Sequence, residues 1–202
     1  MIAIQRFIDL CGNYCPNPNV IFEIGAREAA DSVLFKSRFP SAEVYAFEAY
    51  DDEFKIHTGR EHLKDINYIN LGMWNENTKV TFHQKGVGLG ISSIRDRGVQ
   101  YGLDCKEIHV SRVDTFCQNN KIDSIDIAKI DVEGCSYEVL EGFGELIQSV
   151  KIIHVETEQI QHFENQKTES QVFELLERSG MKMLEYAWCC LHQYDSVWIR
   201  QK

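Results

Sequence analysis

Strand-length apolar runs alternate with helix-length segments along most of the chain, and this alternation narrows the fold more than any other feature. The runs are NVIFEI, AEVYAF, INYINL, IDIAKIDV, VKIIHVE, KMLEYAW and DSVWIR. Helix-like segments fall at residues 29–39, 52–63, 112–120, 137–146 and 170–179. Alternation of this kind argues for an α/β fold, a mainly parallel sheet with helices on both faces. VIFEI and IDIAKI are apolar almost throughout, as central strands buried on both sides must be. The last two runs are joined by a short polar link at 191–195, which predicts an antiparallel hairpin closing a seven-stranded sheet. That layout is Rossmann-like. Between 78 and 111, KVTFH and EIHVS are expected to pair as an inserted hairpin around a Gly-rich loop, with His83 and His109 facing each other across it. Ile4, Phe7, Ile8 and Cys11 share one helical face, so residues 1–18 read as a packing helix and lead-in to one domain spanning 1–202.

Composition excludes several functions. The net charge of −10 disfavours nucleic acid, whose affinity comes from Lys and Arg on phosphates. No apolar run approaches the ~20 residues of a membrane span. The amino terminus, broken by Gln5, Arg6 and Asp9, lacks the form of a signal peptide. The 7 cysteines are scattered and read as buried thiols in a reducing cytoplasm rather than a disulfide framework.

Both of the first two strands end in an acid: Glu23 in VIFEIGA and Glu48 in VYAFEAY. Open parallel sheets bind ligands at the carboxyl ends of their strands, so the two acids are expected to meet there. Gly25 permits a sharp turn close to a ligand. A dinucleotide needs G-x-G-x-x-G to admit its pyrophosphate, whereas EIGAREAAD offers a single glycine flanked by Glu28 and Asp31. S-adenosylmethionine has no phosphate and carries a sulfonium cation, so acids suit it. A carboxylate at Glu48 can accept both ribose hydroxyls, a feature shared with NAD sites.

KIDVEGCSYEVLEG makes the reading specific. It resembles the K-I-D-x-E-G-x-E-x-x-V-L-x-G signature of the FkbM family of S-adenosylmethionine-dependent methyltransferases. Lys129, Ile130, Asp131, Glu133, Gly134, Glu138, Val139, Leu140 and Gly142 stand in that pattern. VIFEIGA, VYAFE, NYINLGMWN and IIHVETE resemble the family's other strand ends. Where the family commonly has D-x-G-A-N-x-G, this chain has Glu23, Arg27 and Ala29 in place of Asp, Asn and the last Gly, and Ala29 leaves less room for the methionine portion. The resemblance implies S-adenosylmethionine as cofactor and O-methylation of a sugar, glycan or secondary metabolite. It carries cofactor contacts onto Glu23, Gly25, Ala26, Arg27, Ser32, Glu48, Ala49, Gly72, Met73 and Asp131.

Methyl transfer to a hydroxyl needs alignment and a base. Asp131, ending the fourth strand, is the first candidate, with His154 and Glu156 on one face of the fifth strand beside it. Ser92, Ser93 and Glu133 are expected to meet the acceptor, the serines from a loop that closes over the site. Asp131, Glu133, Glu156 and His154 also make a possible metal set, but the acids have work enough without one, and no metal is expected. A nicotinamide-dependent oxidoreductase and a non-catalytic cofactor-binding relative remain as alternatives, and homo-oligomerisation is open.

Overall fold

In the computed structural model, which describes residues 1–84, 86–88, 90–96, 98 and 104–201, burial on both faces decides the central strands. β1 (Val20–Ile24) and β7 (Ile127–Ile130) are buried along nearly their whole length and pair in parallel. β2 (Glu43–Glu48) and β3 (Asn67–Asn70) extend the sheet on one side of β1. β8 (Ile152–Glu158) continues it beyond β7, and the closing hairpin of β9 (Met181–Cys190) and β10 (Gln193–Arg200) is antiparallel. The order is β3-β2-β1-β7-β8-β10-β9, the expected seven-stranded layout.

Side-chain alternation sorts two cores. Phe22, Ile24, Ala128, Ile130, Ile153, Val155 and Trp198 face α4 (Val113–Asn120), α5 (Ser136–Gly142) and α6 (Glu169–Arg178). Ile21, Ile127, Ile152 and Val197 face α1 (Ile4–Tyr14) and α2 (Ala30–Arg38). α1 buries Phe7, Ile8 and Cys11 on one stripe, as its spacing requires. α6 starts on a capping box between Thr168 and Gln171.

Two local expectations change. The segment 52–63 is not one helix: α3 (Asp51–His57) ends early and a single 3₁₀ turn follows at Glu61–Leu63. Beyond the third run, Gly72–Trp74 forms β4, which pairs with β6 (Asp104–Arg112) in a second sheet completed by β5 (Thr78–Gln84). The β5–β6 register sets His83 opposite Cys105 and Lys79 opposite His109, so the two histidines do not meet. No periodicity in so short a stretch distinguishes one sheet from another. Among the described residues, no helix is long and apolar enough to cross a membrane.

The two sheets are held together where α5 crosses β4. A Cβ on Gly142 would lie 2.1 Å from the Trp74 carbonyl oxygen, so the helix and β4 must separate to admit one. Gly142→Ala is expected to cost ~1–3 kcal/mol through overpacking, read as a lower urea midpoint at unchanged slope.

Candidate active site

A cavity of ≈ 330 Å³ opens at the carboxyl ends of β1, β2 and β7, where strand order reverses and open sheets bind ligands. Of the residues proposed from sequence, Glu23, Gly25, Ala26, Arg27, Glu48, Ala49, Gly72, Met73, Ser92, Ser93, Asp131 and Glu133 line it. Ser32, His154 and Glu156 do not. The second sheet contributes Phe82 as a wall.

The β1–α2 turn is built against neighbouring backbone. The amides of Gly25 and Ala26 both donate to Phe47 O, at 3.0 and 2.9 Å. A Cβ on Gly25 would lie 1.9 Å from Asp131 O, so only glycine lets the ends of β1 and β7 close together. Arg27 and Ala29 take the left-handed conformation, with φ of 46° and 58°. These are the two positions where the family pattern has Asn and Gly, the residues that adopt it at least cost. The turn keeps its shape with side chains that pay ~1–2 kcal/mol each for it, and the Tyr68 hydroxyl secures it by donating to Arg27 O.

The acids divide the work. Glu23 caps α2, accepting from Ser32 N at 2.8 Å and Ser32 Oγ at 2.5 Å. That bond is the place of Ser32: it orients Glu23 rather than facing the cavity. Burial pushes the Glu23 carboxyl up to about 7, with Lys129 and Ser32 opposing. Glu48 receives one backbone amide on each oxygen, Arg27 N at 2.7 Å and Tyr50 N at 2.6 Å. Burial raises it to about 7 as well. Each of its oxygens keeps a second lone pair.

Sequence reasoning gave no role to two further residues at the site. Glu53, buried on α3, accepts Gly88 N at 2.8 Å and so ties the Gly-rich loop to the cavity rim. Nothing in DDEFKIH signals this. Lys129 is buried in β7, its ammonium 3.0 Å from Asp131 Oδ2 and 3.2 Å from Asp31 Oδ2. Burial works against its charge, but Asp131, Glu23 and Asp31 outweigh burial and raise its pKa. A lysine inside the apolar run IAKI, two residues before an acid, was the available signal. In return Lys129 overcomes the burial of Asp131 and holds that carboxyl below its ordinary range. The Asp131 side chain is 43% exposed, open to the cavity.

Ser93 is already engaged. Its Oγ donates to Glu133 O at 2.6 Å, and its backbone bridges to His83. Arg95, two residues on, pairs with Glu138 and anchors the loop to the signature helix. Leu89 and Arg97, also in this loop, lie outside the described residues.

The sequence profile of the FkbM methyltransferase domain matches residues 23–183. The chain belongs to the FkbM methyltransferase family. Its methyl donor is S-adenosylmethionine, which displaces the nicotinamide reading. Among characterised proteins, this FkbM methyltransferase is 22% identical over 180 residues to the 2-O-methyltransferase NoeI of Sinorhizobium fredii (strain NBRC 101917 / NGR234), covering 80% of this chain and 72% of that protein. Its fold is similar to the precorrin-6y C5,15-methyltransferase of Geobacter metallireducens GS-15, with a TM-score of 0.54 at 11% identity, over 98% of this chain and 87% of that one. The N-terminal domain of EvdMO1, crystallised in the presence of SAH and D-fucose, has a TM-score of 0.53 at 12% identity, over 98% and 82%.

The cavity fits this cofactor. Among the described residues of its lining, the buried ammonium is Lys129, and it is committed to Asp131, Asp31 and Glu23 rather than offered to a phosphate. Carboxylates at Glu48 and Asp131 and the apolar Phe47, Leu71 and Met73 suit a nucleoside and a cationic sulfur.

Two outcomes follow. The carboxyls of Glu23, Glu48 and Glu156 titrate at about 7, 7 and 9 when folded, against an ordinary 4.5. The folded chain then binds protons that the unfolded chain has released, so stability present at low pH is lost as pH climbs through these values. His154 works in the opposite sense only below its ordinary 6.5. The melting temperature of the cofactor-free protein should fall between about pH 6.5 and about pH 9 by calorimetry. Lys129→Met leaves the buried Glu23 and the partly exposed Asp31 and Asp131 without their cation and should cost up to ~3 kcal/mol in urea unfolding, less at pH 5 than at pH 8.

Proposed function

We propose that this methyltransferase acts on oxygen, transferring the methyl group to a hydroxyl of a sugar, glycan or secondary metabolite. The observation that carries the reading is the ionised Asp131 carboxylate presented to the cavity. The relative named as a 2-O-methyltransferase supports the choice of oxygen.

When bound, S-adenosylmethionine supplies a methyl group already electrophilic on its sulfonium. The protein must place it and manage one proton. Glu48 would hold the ribose hydroxyls with the lone pairs its amide partners leave. Residues 25–27 and Met73 would line the rest of the cofactor. Asp131 would orient the acceptor hydroxyl and take its proton as the carbon–oxygen bond forms. Ser92 and Glu133 stand on the acceptor side, while Ser93 serves by fixing the loop to Glu133 O.

His154 and Glu156 lose the catalytic role expected of them. Neither lines the cavity. Burial drives the His154 imidazole down to about 3, where it stays neutral, and pushes the Glu156 carboxyl up to about 9, where it stays protonated.

Glu48→Ala should weaken S-adenosylhomocysteine binding ~10–100-fold in calorimetry, the worth of hydrogen bonds to a charged group. Asp131→Asn should leave that affinity within a few-fold and lower kcat ~10²–10⁴-fold on a saccharide acceptor followed by mass spectrometry. Unchanged turnover in the second variant would remove Asp131 from proton transfer. Methylation of amines but of no hydroxyl would overturn the choice of oxygen.

A further inference from the structure

Next to the cavity, on the sheet face that carries α1 and α2, donor atoms from three strands converge. Glu156 of β8, Asp195 of β10 and Cys189 of β9 each bring one ligand atom within 4.8 Å of the others. Register explains the first two, since Asp195 pairs with Glu156. Alternation explains the third. Asp195 pairs with Ala187, and Cys189, two residues further along β9, lies on the same face. A register shift leaves Cys189 without a cross-strand partner of its own, since Gln193 pairs with Cys190 and Tyr194 with Trp188.

His154 is a second, independent observation. It is 4% exposed, and its Nδ1 has no hydrogen-bond partner. Its Nε2 is aimed at Asp195 Oδ1 from 3.7 Å, beyond hydrogen-bond reach. Phe7 of α1 covers the ring, 5.2 Å between centroids. A buried imidazole is not kept without a partner unless something completes its surroundings.

The charge balance points the same way. Among the described residues, neither Glu156 nor Asp195 pairs with a lysine or arginine; the nearby Lys129 is taken by Asp131 and Asp31. The polar contacts are Ile2 N to Asp195 Oδ2 at 2.6 Å and Gln193 Nε2 to Glu156 Oε1 at 3.3 Å.

We propose that Glu156, Cys189 and Asp195 are ligands for a divalent transition cation of the zinc class, with His154 standing behind Asp195 to orient it. Two carboxylate oxygens and a thiolate match such an ion, whereas calcium and magnesium take oxygen alone. Bonds of ~2.0–2.3 Å place ligand atoms ~3.6 Å apart, so the cluster contracts slightly on binding. A cation between the carboxylates draws them together and lets Asp195 turn its second oxygen to the imidazole. Cys189 and Glu156 give up their protons as the bonds form, so affinity rises with pH. The set differs from the one the sequence suggested, in which Asp131, Glu133, Glu156 and His154 were grouped and no metal was expected.

Three protein ligands leave a coordination position open, as in catalytic zinc sites. Ile130 pairs with Val155, so Asp131 and Glu156 follow on adjacent strands, but Glu156, Cys189 and Asp195 stand outside the cavity lining. The binding of the cation therefore does not rest on the methyl-transfer reading.

The test uses the full chain, freed of metal by a chelator and titrated with Zn²⁺, Co²⁺ and Mg²⁺. One equivalent of Zn²⁺ is expected, with an intense thiolate-to-cobalt absorption in the Co²⁺ form and no comparable Mg²⁺ binding. Cys189→Ser should abolish that absorption, and Glu156→Gln should weaken Zn²⁺ at least ~10-fold, since even residues supporting a metal ligand cost that much. Cys105→Ser should change nothing, although Cys105 Sγ lies 3.5 Å from His83 Nδ1 and is the competing exposed pair. Circular dichroism checks that each variant is folded. The absence of a cobalt band in the folded native chain overturns the proposal, as does a band lost in Cys105→Ser and kept in Cys189→Ser. Calorimetry with S-adenosylhomocysteine on the same metal-free protein keeps the two readings apart: cofactor binding without zinc binding refutes the metal site alone.

Discussion

One buried ammonium organises this protein. Lys129 sits in the middle strand of the sheet, in register between Glu23 and His154, and is surrounded by the carboxylates of Glu23, Asp31 and Asp131. A cation there is tolerated only because several acids neutralise it, and those acids are the ends of β1 and β7 and the start of α2. The same contacts that permit the lysine therefore fix the rim of the cavity. They also keep Asp131 ionised although burial works against it.

The carboxyl groups around the sheet edge end in different protonation states for that reason. Asp131, next to Lys129, is held charged. Glu23 and Glu48, buried but supplied with amide or hydroxyl donors, are raised to about 7. Glu156, one strand beyond Asp131 and without an ion pair to Lys129, is raised to about 9 by burial and by its acidic neighbours. Direct pairing with a single ammonium thus separates an anionic acid facing the cavity from a neutral one in the cluster with Asp195 and Cys189. A resident cation at that cluster would reverse the second state.

The strand-end acids were legible because apolar β-runs are interrupted by charge only at cost, and VIFEI and VYAFE each carry one such interruption while IAKID carries two, Lys129 and Asp131. Their partners were not. Glu23 serves a helix cap through Ser32, and Glu48 holds two turns through backbone amides; a sequence shows that an acid is present but not which donors surround it. Glu53 resembles any helix-surface acid until α3 packs it beneath Gly88. His154 and Glu156 share a face, as period-two alternation requires, and it is the face of Lys129 and Asp131, but they stand one strand beyond the cavity, with Phe7 of α1 over the His154 ring.

The alternation of apolar runs and amphipathic segments, the glycine after β1 and the signature around Asp131 were sufficient by themselves to determine the fold class, the family and the cofactor. Each is a local demand of backbone geometry or burial, written into consecutive residues. Tertiary structure alone decided that β4 would pair in a second sheet, that Arg27 and Ala29 would adopt a glycine-like turn, and that the register of β8, β10 and β9 would bring Cys189 to Glu156 and Asp195. Those outcomes depend on register and on electrostatic neighbours contributed by distant parts of the chain, and neither quantity is encoded in any one stretch of it.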